Sequence, residues 1–115
     1  VRWLQLPGHP TTVTRTFTTD GLRVSWKPPR YLPGHYTENV VSIFRIVEGK
    51  FGYYDIYNGP DTTVTLDRES ILSALIPDNN GRPSLLLKIA VCNENGFGCH
   101  RQLTFKPTPE QAQAL

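Results

Sequence analysis

Cys92 and Cys99 are the residues whose type and spacing most readily support covalent chemistry. The six residues between them, Asn-Glu-Asn-Gly-Phe-Gly, can form a hairpin tip, and hairpin geometry decides which cross-strand side chains face each other. The pair suits a disulfide, favoured over two free thiols. By loop closure such a bridge would stabilise the fold by about 2–3 kcal/mol, and it would place the chain in an oxidising compartment. A zinc site is disfavoured because no second Cys-x-x-Cys or His pair accompanies them, and His100 beside Cys99 reads as a loop residue. His9, His35 and His100 are far apart in sequence, and no nucleophile elbow, phosphate loop, dinucleotide fingerprint or HExxH motif occurs. Asp55, Asp61, Asp67 and Glu69 could in principle pair as general acid and base. A short chain folded into filled layers offers them no deep cleft, so they read as solvated charges. No catalytic residue, cofactor or metal is implied.

The elements that would carry these residues are strands. The chain has 115 residues, 38% hydrophobic and 19% charged, with ten Pro and nine Gly, which suits one compact, turn-rich domain rather than two domains or a disordered segment. Twelve Lys and Arg against ten Asp and Glu leave a net charge of +2. The basic residues form no run, so nucleic acid is not indicated. No window approaches the roughly 18 apolar residues of a membrane span, so direct membrane contact is not expected. The absence of Met, even at position 1, points to a piece of a larger protein.

Apolar and polar residues alternate in short runs bounded by Gly, Pro and Asn, the pattern of an all-β sandwich. Leu22, Val24 and Trp26 alternate with Arg23, Ser25 and Lys27 before Pro28 and Pro29 stop the ladder. Residues 39–47 read as a strand with Phe44 and Ile46 on one face and Ile43, Arg45 and Val47 on the other. Residues 51–57 and 62–66 follow, then Leu85, Leu87, Ile89 and Val91 alternate through a long strand, and residues 102–106 return with Leu103 and Phe105 inward. Asn58-Gly59 and Asn95-Gly96 read as tight turns. Residues 67–75 open with Asp67 and space their apolar residues as a short helix does, so a helical crossover is expected there. Residues 1–10 form an N-terminal extension, 11–106 the domain, and 107–115 a polar C-terminal linker.

The stretch Asp20-Gly-Leu-Arg-Val-Ser-Trp-Lys-Pro-Pro29 resembles the second strand of fibronectin type III domains, in which a core Trp precedes a Pro-containing loop. Leu87-Lys-Ile-Ala-Val-Cys-Asn-Glu-Asn-Gly96 resembles the sixth, with Ile43-Phe-Arg-Ile46 at the distance of the third. The resemblance spans residues 12–106 and implies a two-sheet antiparallel sandwich of fibronectin type III or immunoglobulin-like type. Leu85 stands where that family usually has a Tyr, and the loop before it is lengthened by Asp78-Asn-Asn-Gly-Arg-Pro83, which marks an atypical member. Trp26 reads as core.

With no catalytic constellation, function is expected on a surface. One candidate is the loop end where residues 28–36 and 93–98 should meet, exposing Tyr31, His35, Tyr36, Asn95 and Phe97 to a protein partner; the competing reading is that the Pro and Tyr residues pack locally. The other is an apolar outer sheet face formed by Ile43, Val47, Leu86 and Ala90, covered by Trp3, Leu4 and Leu6, by a neighbouring domain, or by a second copy in a weak dimer. The resemblance implies a non-catalytic interaction module of a cell-surface or secreted adhesion or receptor protein. The alternative is a passive spacer or accessory module in a microbial secreted enzyme or phage tail protein.

Overall fold

Alternation sets the inner face of most strands. In the computed structural model, which describes residues 5–115, the chain runs β1 (Thr11–Thr18), β2 (Gly21–Lys27), β3 (Glu38–Val47), β4 (Lys50–Gly59), β5 (Thr63–Leu66), α1 (Arg68–Ala74), β6 (Ile76–Pro77), β7 (Pro83–Asn93), β8 (Gly96–Phe97), β9 (Arg101–Phe105) and α2 (Pro109–Ala114). One sheet has the order β1-β2-β5. The other has β4-β3-β7, with β6, β8 and β9 also pairing with β7. All pairings are antiparallel, so the chain is a two-sheet β-sandwich.

The core lies between the sheets. Leu22, Val24 and Trp26 of β2 meet Val41 and Ile43 of β3, Leu85, Leu87 and Ile89 of β7, and Leu103 and Phe105 of β9. Fully burying each of the larger side chains contributes about 1.5–3 kcal/mol relative to leaving it exposed. Trp26 is core, and its one polar atom is satisfied: Nε1–H donates to Asn39 Oδ1 at 3.1 Å, while Asn39 Nδ2 donates to Pro60 O at 3.3 Å. The crossover helix forms where its sequence indicates. Asp67 caps α1 by accepting from Ser70 N–H at 2.8 Å, and Ile71 and Ala74 seal one edge of the core.

Three expectations are corrected. The inner face of β3 carries Val41 and Ile43 rather than Phe44 and Ile46. Ile43 is 1% exposed and Ile46 49%. The cause is the pairing of Ile43 with Leu87, whose own inward direction is fixed by the alternation of β7. Val47 shares the parity of Ile43 at the strand's end and is half-buried, whereas Leu86 and Ala90 face outward as expected. Second, the Cys92–Cys99 bridge is not formed. The tight turn sits at Glu94-Asn95, so Cys92 pairs across the hairpin with Phe97, and both thiols are free, with Cys92 buried and Cys99 exposed. Third, the segment read as a linker folds. Thr108 and Gln111 close a reciprocal capping box at the start of α2, and Leu115 packs against the core.

Two hairpins follow turn chemistry. Glu48-Gly49 joins β3 to β4 with both residues at positive φ, 52° and 79°, as a two-residue turn of the twist-matching type demands. Asn58-Gly59, by contrast, ends β4 in extended pairing, opposite Val40 and Asn39.

Candidate functional site

The loop end expected from sequence forms, and a third segment joins it. The loop between β2 and β3, the β7–β8 hairpin with its exit toward β9, and the strap of residues 5–9 converge at the carboxyl end of β7. Asn93, only 5% exposed, is the hub. Its Nδ2 donates to Gln5 O at 2.9 Å and to Pro33 O at 3.1 Å, and its Oδ1 accepts from Asn95 N–H at 2.8 Å. Three bonds of one buried amide therefore tie different segments together. Asn95 reinforces the strap, its Nδ2 donating to Gln5 O at 3.0 Å, and Gly8 N–H donates to Tyr31 O at 2.9 Å.

A second clasp holds the β2–β3 loop. Both oxygens of Glu94 accept from His35 N–H, at 2.9 and 3.0 Å. Gly34 makes this possible: a Cβ there would lie 2.1 Å from Glu94 Oε1, and its φ of 102° is closed to ordinary side chains. Gly98 has a similar role toward the strap, where a Cβ would meet Pro7 O at 1.9 Å. Leu6 lies beside Gly96 of β8, with Cδ2 3.5 Å from where a Cβ would stand. Trp3 and Leu4, expected as a cover for the sheet, lie outside the described residues.

On this frame stand Leu6, Tyr31, Leu32, Tyr36 and Phe97, five of the eight large hydrophobic side chains exposed among the described residues. Tyr36 Oη–H donates to the Glu38 carboxylate, and that bond, with partial desolvation and the carboxylate's charge, pushes the phenol up to about 12. Burial, and next the Glu38 charge, raise the Cys92 thiol above its ordinary value, which keeps it protonated and unreactive. Tyr31, His35, Tyr36, Asn95 and Phe97 are all carried by the converging loops, Phe97 lying toward the outer sheet face where it shares a depression with Ser42, Lys88 and Ala90, while Ile43 lies in the core. The sequence reading missed Asn93, Glu94, Gly34 and Gly98. The only sequence signal for Asn93 was an Asn at the last residue of a hairpin strand, a position suited to capping the turn that follows.

The outer sheet face is apolar, with different members. Phe44 stacks on Phe51 at 5.8 Å between ring centroids and meets Tyr53 edge-on at 5.2 Å; Lys88 Nζ lies 4.4 Å from the Tyr53 centroid. Ile46 and Phe51 leave this cluster exposed at the far end of the sheet from the loops. Among the described residues no three His, Cys, Asp or Glu side chains converge as a metal site would require, and no helix is long and apolar enough to cross a membrane.

Sheet order, the buried strand-two Trp and the loop end together define a fibronectin type III-like sandwich. Solved structures agree. The chain superposes on the rat CD45 extracellular region, domains d3-d4, with a TM-score of 0.62 and 10% identity, covering 87% of this chain and 49% of that one. Titin domains A168-A170 give 0.59 at 14% identity over 88% of this chain and 32% of that one, and a human fourth FNIII domain gives 0.61 at 18% over 87% and 78%. No sequence profile of a known family matches the chain. Among curated proteins, host cell factor 1 of Homo sapiens and of Rattus norvegicus is 24% identical over 105 residues, covering 80% of this chain and 5% of theirs. The chain spans about one twentieth of the length of these relatives.

Proposed function

We propose that this domain is a non-catalytic protein-interaction module of a larger multidomain protein, and that it binds through its loop end. The observation that carries the reading is the gathering of Leu6, Tyr31, Leu32, Tyr36 and Phe97, exposed, on a backbone locked by Asn93 and Glu94. Exposed aromatics on a preorganised frame lose little entropy on binding, which is the economy of interaction loops. The similar proteins support the module reading, since the matched parts of rat CD45 and titin are segments of longer chains.

An adhesion or receptor setting finds a counterpart in the CD45 extracellular region. Its basis in this chain is the family resemblance, and the oxidising compartment inferred from a Cys92–Cys99 bridge loses that support because both thiols are free. The apolar outer face supports a second contact, with a neighbouring domain or a second copy, because Phe44, Phe51 and Ile46 form one exposed cluster.

The test is affinity capture from source cells with three forms of the protein: the parent, Tyr31→Ser with Phe97→Ser, and Ile46→Ser with Phe51→Ser. Proteins held by the parent and the sheet variant but lost by the loop variant support loop-end binding. An unchanged set in the loop variant overturns it, and loss only in the sheet variant transfers the function to the outer face.

A further inference from the structure

Beside the loop end a groove of about 450 Å³ lies among the strap, the start of β1 and the β2–β3 loop, lined by His9, Thr11, Thr12, Arg30, Tyr31 and Arg101. Its charge is one-sided. Arg30 and Arg101 are both exposed, no Asp or Glu lines the groove, and the ion pair found among the described residues joins Lys106 to Asp78 elsewhere. Two permanently charged guanidiniums therefore share one cleft without a counterion of their own.

The backbone here is arranged at a cost. Thr12 has a φ of 49°, a region that β-branched residues rarely enter and that carries strain of about 1–3 kcal/mol. It sits in a bulge: the β1–β2 register shifts between Thr11 and Thr14, and bulges re-aim side chains that a regular ladder would fix. The walls are also tied to each other. Thr11 Oγ1 donates to Pro28 O at 3.0 Å, Gly8 N–H donates to Tyr31 O at 2.9 Å, and the His9 ring is oriented by its Nδ1–H, which donates to Pro10 O at 2.9 Å and leaves Nε2 available. The groove is preorganised before any ligand arrives.

We propose that this groove binds a phosphomonoester dianion carried on a protein segment, a phosphorylated serine or threonine of a partner. The inference deepens the loop-end reading and rests on it, since Tyr31 belongs to both surfaces. Charge matching selects the ligand: a phosphorylated side chain brings about −1.5 to −2 charge against the two guanidiniums, whereas one carboxylate would leave a guanidinium uncompensated. The guanidinium fork pairs bidentately with phosphate oxygens, and the Thr12 hydroxyl can supply a further donor.

The probes are a blocked pentapeptide with a central phosphothreonine between glycines, its threonine and aspartate counterparts, and inorganic phosphate, titrated at low salt while the amide resonances of Gly8, Thr12, Arg30 and Arg101 are followed. The phosphopeptide should shift these amides, and R30Q and R101Q should each weaken it about tenfold or more, the loss expected for one charge-assisted hydrogen-bonded partner. K50Q, on the β3–β4 hairpin far from the groove, should not. Equal binding of the three peptides overturns the proposal, as does unchanged affinity in both Arg variants. Inorganic phosphate binding as tightly as the phosphopeptide also overturns it, reducing the site to one for a free ion. None of these results touches Phe97 or Tyr36, so a negative titration leaves the loop-end reading to its own capture test.

Discussion

Replacing Asn93 by alanine removes three hydrogen bonds from one buried side chain: two donated to Gln5 O and Pro33 O, one accepted from Asn95 N–H. A neutral bond contributes about 0.5–1.5 kcal/mol net. Gln5 O retains Asn95 Nδ2 at 3.0 Å, so its share is small; Pro33 O loses this donor, and the Asn95 N–H loses its turn acceptor. The sum is about 2–3 kcal/mol, which at about 4 °C per kcal/mol for a domain of this size lowers Tm by about 8–12 °C. Asn93→Asp sharpens the test. It keeps an oxygen for Asn95 N–H but turns a carboxylate toward two carbonyl oxygens, so at neutral pH it should loosen the strap more than alanine does. Urea unfolding measures the global loss, and amide exchange at Gly8, bonded to Tyr31 O, reports the strap relative to the core strands. A loss below about 0.5 kcal/mol for alanine, or an aspartate variant with a strap as protected as the parent's, would refute the hub.

The remaining predictions concern titratable groups. Under non-reducing conditions the unfolded chain should show two reactive thiols, and the native chain should show Cys99 reacting first, with Cys92 at least about tenfold slower because it is buried and held protonated; finding no thiols would establish a disulfide. Tyr36 should ionise near pH 12 in an ultraviolet titration, and Tyr36→Phe should abolish that step. Its folded value lies above the ordinary 10.0, so its stabilising contribution is complete below pH 10 and is lost as pH rises toward 12.

How far the sequence could be read depended on whether each strand had two unlike faces. β2 and β7 do, since Leu22, Val24 and Trp26, then Leu85, Leu87, Ile89 and Val91, are all buried as their alternation requires. β3 does not. Val40, Val41, Ile43, Phe44, Ile46 and Val47 are apolar at both parities, so alternation is silent, and only the pairing of Ile43 with Leu87 assigns the faces. The same pairing could have been anticipated from the unambiguous β7. The cysteine pair failed for a related reason: eight consecutive residues admit several hairpin registers, and a turn at Glu94-Asn95 puts Phe97, not Cys99, opposite Cys92. The meeting of residues 28–36 with 93–98 was legible because sandwich connectivity dictates it. The roles of Asn93 and Glu94 were not, because they depend on carbonyl and amide positions in loops far away in sequence.

β7 also separates the chain's two ends. The strap is fastened at Asn93, the last residue of β7, whereas β9 delivers the chain to Lys106 beside Leu85 near the strand's start. At about 3.4 Å per residue, the eight steps between Leu85 and Asn93 span about 27 Å. Tension applied before Gln5 and after Leu115 would therefore run lengthwise along the sandwich. The strap meets that load through the two side-chain amides of Asn93 and Asn95 and the Gly8 amide, a far smaller set than the strand ladders behind it. A modest pull would peel residues 5–9 away first, lengthening the linkage and uncovering Gly96 and Gly98 while the two sheets stay closed.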